Sequence, residues 1–250
     1  MNIEQFFSEN PNAAIAFSGG VDSAFLLYAG IKYGRKIRAY YVKTEFQPEF
    51  EFNDVKRLEN ELKEDLKIIE KEVLSDEDIK KNPSNRCYYC KKKIFSLILE
   101  EARKDGFDLI LDGTNASDKT EDRPGMKALS ELKVRSPLRE CGLTKKEIRS
   151  LSKEAGLFTW DKPAYACLAT RIPAGEEICL EKIKAVEHAE EYLAQKGYTD
   201  FRVRSVDLNA RIEVSSSQWM KIAEERNEIN TELKKCFKTV SLNLEDRCGE

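Results

Sequence analysis

Two groups of residues in this 250-residue chain have types and spacings that could do chemistry. One is the pair Cys87 and Cys90 in the string CYYC. The other is a loop in the stretch FSGGVDSAFLL, made of Ser18, Gly19, Gly20, Val21, Asp22 and Ser23. Gly19 and Gly20 follow a buried apolar run and can adopt backbone angles closed to other residues. Successive N–H groups then form one concavity at the start of a helix, and the helix dipole favours an anion there.

The loop differs from a Walker loop because no lysine follows its glycines. Ser18 and Ser23 could add hydroxyl donors, and Asp22 could act beside phosphates through Mg²⁺. The whole string resembles the pyrophosphate loop of the N-type ATP pyrophosphatases, which cleave ATP between the α- and β-phosphates. This resemblance implies ATP binding, and it implies that Thr44, Gly113 and Thr114 lie near the nucleotide.

The spacing of Cys87 and Cys90 lets both sulfurs face one metal. A redox pair, a zinc half-site, an iron–sulfur half-site and two buried cysteines all remain open. Cys167 lies in the irregular segment PAYACLATR, which is expected to cross the mouth of the nucleotide site. With the pair it would hold three irons of a [4Fe–4S] cluster, leaving one iron without a protein ligand to bind hydrosulfide. The alternative interpretation of Cys167 is a small buried side chain that binds no metal.

Composition limits the class of protein. The formal net charge is −3 with both signs mixed, which argues against non-specific nucleic-acid binding. His188 is the one histidine, which excludes chemistry that needs several imidazoles. No basic leader and no span of about 20 apolar residues is present, so we predict a cytoplasmic protein without membrane contact. The seven cysteines then favour thiols or metal ligands over disulfides.

The elements that must position these residues alternate along the chain. Strands are predicted at 13–17, 37–42, 67–73 and 107–113, with helices between them, which indicates an α/β fold with a doubly wound parallel sheet. We predict this PP-loop ATP pyrophosphatase domain, of the HUP-like type, over residues 1–160. A crossing loop with the third cysteine spans 161–178. A small α+β domain over 179–250, with two helices on an antiparallel sheet, is expected to serve in substrate binding and oligomerisation.

The combination resembles the LarE sulfur transferases of nickel-pincer nucleotide biosynthesis. The glycine loop and three further strings carry the resemblance: LDGTNASDKTEDRPGMKAL, CLATRIPAG and FRVRSVDLNARIEV. It implies adenylation of a carboxylate on pyridinium-3,5-biscarboxylic acid mononucleotide, followed by sulfur attack to give a thiocarboxylate. It also implies a homo-oligomer, a trimer or a hexamer.

Some members of that family sacrifice the sulfur of the cysteine that Cys167 matches, and they lack cysteines matching Cys87 and Cys90. This chain resembles instead the members whose three cysteines ligate a cluster and which use external sulfide. Cys167 is then a ligand. Arg171 matches an arginine near the reacting centre. Candidate substrate-binding residues are Arg123, Arg202, Arg204, Arg211 and Glu213, and the polar residues Asp118, Glu121 and Asp122 are further candidates.

Three other functions fit parts of this pattern. A tRNA thiolase combines the same loop with three cysteines. The negative net charge of this chain and the lack of an RNA-binding appendage argue against that function. An amide-forming pyrophosphatase that uses ammonia would hold zinc at the CxxC pair and would be colourless. A nucleotide-binding module without catalysis would keep the loop but release no pyrophosphate.

Overall fold

The computed structural model describes residues 1–118 and 124–247. The strands are β1 (Asn12–Ala16), β2 (Lys36–Lys43), β3 (Lys67–Glu70), β4 (Ile110–Leu111), β5 (Arg202–Val206), β6 (Asn209–Glu213) and β7 (Thr239–Leu242). The α-helices are α1 (Ile3–Glu9), α2 (Val21–Tyr33), α3 (Glu49–Leu62), α4 (Glu77–Lys80), α5 (Arg86–Lys104), α6 (Pro124–Glu131), α7 (Pro137–Glu140), α8 (Lys145–Glu154), α9 (Leu180–Gln195) and α10 (Trp219–Leu233). The predicted strand–helix alternation is confirmed. Helices α1, α4, α6 and α7 were not predicted.

The chain divides into two compact units. The first consists of Met1–Thr44, Glu49–Glu72 and Asn85–Tyr165. Its described residues form a four-stranded parallel sheet in the order β3-β2-β1-β4. The predicted α/β class with a parallel sheet is therefore confirmed for this unit.

Helices cover both faces of this sheet. Successive residues of β1 point to opposite faces, so Ile15 and Ala14 belong to two different apolar clusters. The cluster around Ile15 includes buried side chains of α1, α2, α3 and α8. The cluster around Ala14 includes buried side chains of α5 and α6. The two clusters fix the sheet between helical layers, and the carboxyl ends of its strands share one edge.

The strand order reverses at β1. After β1 the chain continues to β2 on one side, whereas β4 pairs with the other side of β1. In open α/β sheets, ligands bind outside the carboxyl ends of the strands at such a switch point. The connections that leave β1 and β4, beginning at Phe17 and Asp112, are therefore the expected walls of a ligand site.

The second unit consists of Glu45–Pro48, Val73–Ser84 and Ala166–Glu250, of which residues 248–250 lie outside the description. Its sheet has the order β5-β6-β7. β5 and β6 pair antiparallel, but β6 and β7 pair parallel, so the prediction of a purely antiparallel sheet was wrong. The physical reason is the connection, because α10 lies between β6 and β7 and a crossover helix returns the chain in the same direction.

In the described part of the chain, no helix is both long enough and apolar enough to cross a membrane.

Candidate functional site

The glycine loop connects β1 to α2 at the switch point of the first sheet. Ser18 Oγ and Ser23 Oγ lie 3.0 Å apart, and the Ser18 N–H donates to Ser23 Oγ at 3.2 Å. These bonds close the loop over the start of the helix. Gly20 is the N-cap residue of α2 and has no side chain to bond the first-turn N–H groups. Those donors and the helix dipole can receive an anion.

The two glycines differ in backbone conformation. Gly19 has a φ of +74°, and a Cβ placed on it would lie 2.8 Å from Val55 Cγ2. The fold therefore requires glycine at position 19. Gly20 has a φ of −81°, which other residues adopt, and among the described residues a Cβ there would meet only Ser18 Oγ, at 3.6 Å. The prediction of special backbone angles was wrong for Gly20, because only Gly19 needs the left-handed region.

The connection after β4 packs against the same helix start. A Cβ on Gly113 would lie 3.1 Å from the Ser23 nitrogen and 3.3 Å from Asp22 Cβ. Thr114 is buried, and its hydroxyl donates to Asp112 Oδ2 at 2.5 Å. The predicted neighbours Gly113 and Thr114 thus lie beside the glycine loop. Thr44, also buried, follows β2 at the same sheet edge.

Asp22 lies at the centre of the polar contacts of this region. Its Oδ2 accepts from Lys145 Nζ at 2.6 Å, and its Oδ1 lies 3.4 Å from Asn115 Nδ2. Burial raises the pKa of the Asp22 carboxyl; the hydrogen bond and charge of Lys145 oppose this rise, and the charge of Asp118 adds to it. The charges of Lys145 and Arg149 thus oppose the effect of burial on the pKa of Asp22, as expected where a carboxylate lies beside cations.

Two more cations lie near this region, because Lys162 contacts the loop and the charge of Arg149 acts on the pKa of Asp22. Lys162 Nζ lies 2.7 Å from Asp54 Oδ2 and 3.5 Å from the Gly19 carbonyl. Arg149 donates to the carbonyls of Trp160 and Lys162 at 2.6 and 2.8 Å. Sequence reasoning missed Lys145, Arg149 and Lys162. A lysine at the first position of a predicted helix, which the helix dipole disfavours, was a signal for Lys145.

Cys87 and Cys90 lie in the first turns of α5, which begins at Arg86. Residues three apart share one face of a helix. Cys87 is exposed and Cys90 is half-buried. Two thiols on one helix face suit a soft metal as half of its ligand set.

Cys167 belongs to the second unit, where it precedes a 3-10 helix at Leu168–Arg171. It is half-buried, and its carbonyl accepts from the Thr170 hydroxyl at 2.8 Å. Within residues 1–118 and 124–247, no group of three or more His, Cys, Asp and Glu side chains is arranged to hold a metal ion. A cluster ligated by all three cysteines stays a prediction.

Arg171 is almost completely buried, with 1% of its surface exposed. Its Nε and Nη2 donate to the two carboxylate oxygens of Glu190 at 2.7 and 3.2 Å, and its Nη1 donates to Thr170 Oγ1 at 2.8 Å. Glu190 Oε1 also accepts from the Val203 N–H at 2.9 Å. The forked guanidinium thus binds a carboxylate of its own unit. A contact between Arg171 and a substrate would require this buried pair to open.

Four of the predicted substrate residues lie on one face of the second sheet. Arg204 pairs with Arg211 and Arg202 pairs with Glu213 across β5 and β6. Arg204 Nε and Arg211 Nη2 both donate to Glu213 Oε1, at 2.8 and 3.2 Å. This face thus carries three guanidinium groups and one carboxylate, and guanidinium groups suit an anionic partner. Arg123, Glu121 and Asp122 lie outside the described residues.

The fold and the loop define a class, a Rossmann-like α/β protein with a glycine loop at the switch point of its sheet. The chain matches no protein-family model. It is 38% identical to an uncharacterised protein of Synechocystis sp. over 87% of this chain and 81% of the relative. It is 34% identical to an uncharacterised protein of Methanocaldococcus jannaschii over 98% of this chain and 93% of the relative.

A third relative carries a functional name. The pyridinium-3,5-bisthiocarboxylic acid mononucleotide synthase of Lactiplantibacillus plantarum is 33% identical over 92% of this chain and 84% of the relative. The chain therefore belongs to the LarE family of such synthases.

Proposed function

We propose that the protein is an ATP-dependent sulfur transferase that converts a carboxylate of pyridinium-3,5-biscarboxylic acid mononucleotide into a thiocarboxylate. The name of the Lactiplantibacillus plantarum relative supports the product. The observation that carries the use of ATP is the glycine loop at the sheet switch point, where the N-cap residue of α2 has no side chain. The proposal includes the PP-loop ATP pyrophosphatase type of fold.

The chemistry begins with activation, because a carboxylate is a poor electrophile. A carboxylate oxygen attacks the α-phosphorus of ATP, the bond from that phosphorus to the bridging oxygen breaks, and pyrophosphate leaves. The first-turn N–H groups of α2 and the hydroxyls of Ser18 and Ser23 bind the departing pyrophosphate. Asp22 binds the Mg²⁺ that accompanies the phosphates. Thr44, Gly113 and Thr114 border the nucleotide at the same sheet edge.

The second half of the reaction replaces oxygen by sulfur. Hydrosulfide attacks the acyl carbon, the bond to the AMP oxygen breaks, and the proton of hydrosulfide passes to solvent. In this proposal Cys87, Cys90 and Cys167 would hold a [4Fe–4S] cluster, whose open iron supplies a binding site for hydrosulfide. A homo-oligomer, trimeric or hexameric, completes the proposal, and the charged face with Arg202, Arg204, Arg211 and Glu213 is the proposed surface for substrate or subunit contact.

The experiment measures pyrophosphate and thiocarboxylate from the anaerobically prepared protein with ATP, Mg²⁺, sulfide and the dicarboxylate substrate. We expect pyrophosphate release that depends on the substrate, and we expect Asp22→Ala to lose it. Cys87→Ala should keep pyrophosphate release but lose thiocarboxylate formation. Undiminished thiocarboxylate from Cys87→Ala would contradict the assignment of the cysteines. Substrate-independent or absent pyrophosphate release by the unmodified protein would contradict the adenylation.

Mass spectrometry of the protein after turnover separates a ligand from a consumed donor. A ligand role predicts an unchanged mass of the Cys167 peptide after many turnovers. A peptide that has lost the elements of hydrogen sulfide, together with no more than one product per chain, would show instead that Cys167 gives up its own sulfur.

A further inference from the structure

Lys145 brings a cation to a loop whose own sequence contains none. Its Nζ lies 2.6 Å from Asp22 Oδ2, although the two residues are 123 positions apart in the chain. The side chains of Lys145 and Asp22 keep 35% and 22% of their surface exposed, so the pair lies at the rim of the site. A lysine at such a rim keeps the freedom of a flexible four-carbon stem.

The backbone of Lys145 is fixed while its side chain spans the distance to Asp22. Thr144 caps α8 through a box in which its side chain accepts from the Glu147 N–H and Glu147 bonds back to the cap. The N–H of Lys145 donates to Ser117 Oγ at 3.0 Å, which ties the helix start to the connection after β4. Lys145 is the first residue of α8, where the helix dipole disfavours a cation, so helix stability does not explain a lysine there.

Two other described cations near the loop have partners other than Asp22. Lys162 forms an ion pair with Asp54 and lies 3.5 Å from the Gly19 carbonyl, and the guanidinium of Arg149 binds two backbone carbonyls. Lys145 is bound to Asp22, the residue that the proposed function gives to Mg²⁺. A metal ion on Asp22 repels the ammonium group, and phosphate oxygens beside the metal attract it. The ion pair with Asp22 therefore holds the Lys145 ammonium group beside the glycine loop.

We propose that Lys145 is a phosphate-binding residue of the nucleotide site, in the role that a lysine within the loop plays in Walker-type proteins. The Asp22 carboxylate binds the Lys145 ammonium group until the Mg²⁺ of the nucleotide binds Asp22. The ammonium group then binds the phosphates that leave as pyrophosphate. This proposal rests on the proposed function of the glycine loop.

The test compares Lys145→Met with Lys146→Met by calorimetric titration of inorganic pyrophosphate in the presence of Mg²⁺. Lys146 is the next residue of the same helix and is exposed, so it controls for total charge and for helix propensity. We expect Lys145→Met to weaken pyrophosphate binding about 10- to 100-fold, the effect of one charge-assisted hydrogen bond. Lys146→Met should change it less than about twofold. Lys145→Arg should recover part of the loss.

A second comparison separates a direct contact from an effect through Asp22. In the Asp22→Asn background and without metal, Lys145→Met should still weaken pyrophosphate binding at least about tenfold, because the ammonium group binds phosphate itself. An effect below twofold in this background would show that Lys145 acts only as the counter-ion of Asp22 and would overturn the proposal. Equal binding by the unmodified protein and Lys145→Met would do the same.

The proposed function and the Lys145 proposal fail in different ways. If the unmodified protein binds neither pyrophosphate nor MgATP, the function of the glycine loop is wrong and the role of Lys145 falls with it. If the unmodified protein binds both and Lys145→Met binds them equally well, only the Lys145 proposal is overturned. Thermal unfolding of each variant checks that it is folded.

Discussion

At the scale of single residues, Gly19 and Gly20 lack a side chain for different physical reasons. The conformation of Gly19 and the closeness of Val55 make glycine a requirement of the folded chain. Neither reason applies to Gly20, because Ser18 Oγ is the only atom of the described chain that a Cβ on Gly20 would meet. The space beside Gly20 therefore suits the approach of a ligand to the backbone, the use that phosphate-binding loops make of glycine.

Alanine substitutions at Gly19 and at Gly20 should separate an effect on folding stability from an effect on pyrophosphate binding. Gly20→Ala should change the free energy of unfolding by less than about 0.5 kcal/mol but weaken pyrophosphate binding, because its methyl group occupies the ligand space. Gly19→Ala should cost about 1–2 kcal/mol or more through its positive φ and the contact with Val55. Urea unfolding and calorimetric titration measure the two effects. Pyrophosphate binding by Gly20→Ala equal to that of the unmodified protein would contradict this account.

The contacts of other residues of the site could not be predicted from short stretches of sequence. Lys145 and Asp22 meet only because the topology brings α8 to the switch point, and no short string encodes a contact over 123 positions. Arg171 binds a carboxylate through Nε and Nη2, and that carboxylate belongs to Glu190. Predicting this pair requires knowledge of which helix covers which strand.

At the scale of elements, the start of α8 links helix stability to the site. Its capping box satisfies two N–H groups that the helix leaves without partners, and Lys145 follows the cap directly. A loose helix start would spread the positions that Lys145 Nζ can reach.

Removing the cap should therefore act on both stability and binding. Thr144→Ala should lower the free energy of unfolding by about 1 kcal/mol, a usual cost for a lost N-cap. It should also weaken pyrophosphate binding in Mg²⁺, by less than Lys145→Met does. Thr144→Ser, which keeps the hydroxyl, should behave as the unmodified protein in both assays. Strong pyrophosphate binding by a destabilised Thr144→Ala would show that the cap does not position Lys145.

The buried Arg171–Glu190 pair ties the 3-10 helix after Cys167 to α9 and, through the Val203 N–H, to β5. Breaking such a pair on one side leaves a buried charge without its partner. Arg171→Met should therefore cost about 3–5 kcal/mol in urea unfolding.

Glu190→Gln added to Arg171→Met should recover much of this cost, because glutamine is neutral and still accepts from Val203. The exposed Arg226→Met is the control and should stay within about 0.5 kcal/mol. If the double variant is stable and still forms thiocarboxylate, Arg171 acts by holding the fold. If it is stable but inactive, Arg171 takes part in the reaction.

At the scale of the whole molecule, the proposed cluster ligands come from different units of the chain. Cys87 and Cys90 belong to the first unit, and Cys167 belongs to the second. Cys87→Ala and Cys167→Ala should each reduce bound iron and acid-labile sulfide after anaerobic reconstitution. Cys141→Ala is the matched control, because burial raises the pKa of the Cys141 thiol and makes it a poorer ligand. Iron analysis and the visible spectrum are the measurements. Absence of iron from the unmodified protein would contradict the cluster.

The sequence predicts the architecture of the first unit better than that of the second. Short apolar strands such as β1, with glycine after them and amphipathic helices between, leave few alternatives to a parallel sheet. The direction of β7 was missed because the apolar pattern of a strand does not record its direction. Helix α1, of seven residues, is too short to show a helical period.

The second unit is assembled from three pieces of chain, and its late piece depends on the early ones. Leu168, Gly175 and Ile178 donate their N–H groups to the carbonyls of Phe46, Asn82 and Lys80 at 3.0, 2.7 and 2.8 Å. A gene fragment that begins at Ala166 would encode most of this unit but would lack these acceptors. During synthesis, the two early pieces leave the ribosome before the residues that donate to them. The second unit can therefore be completed only after its late piece has been made.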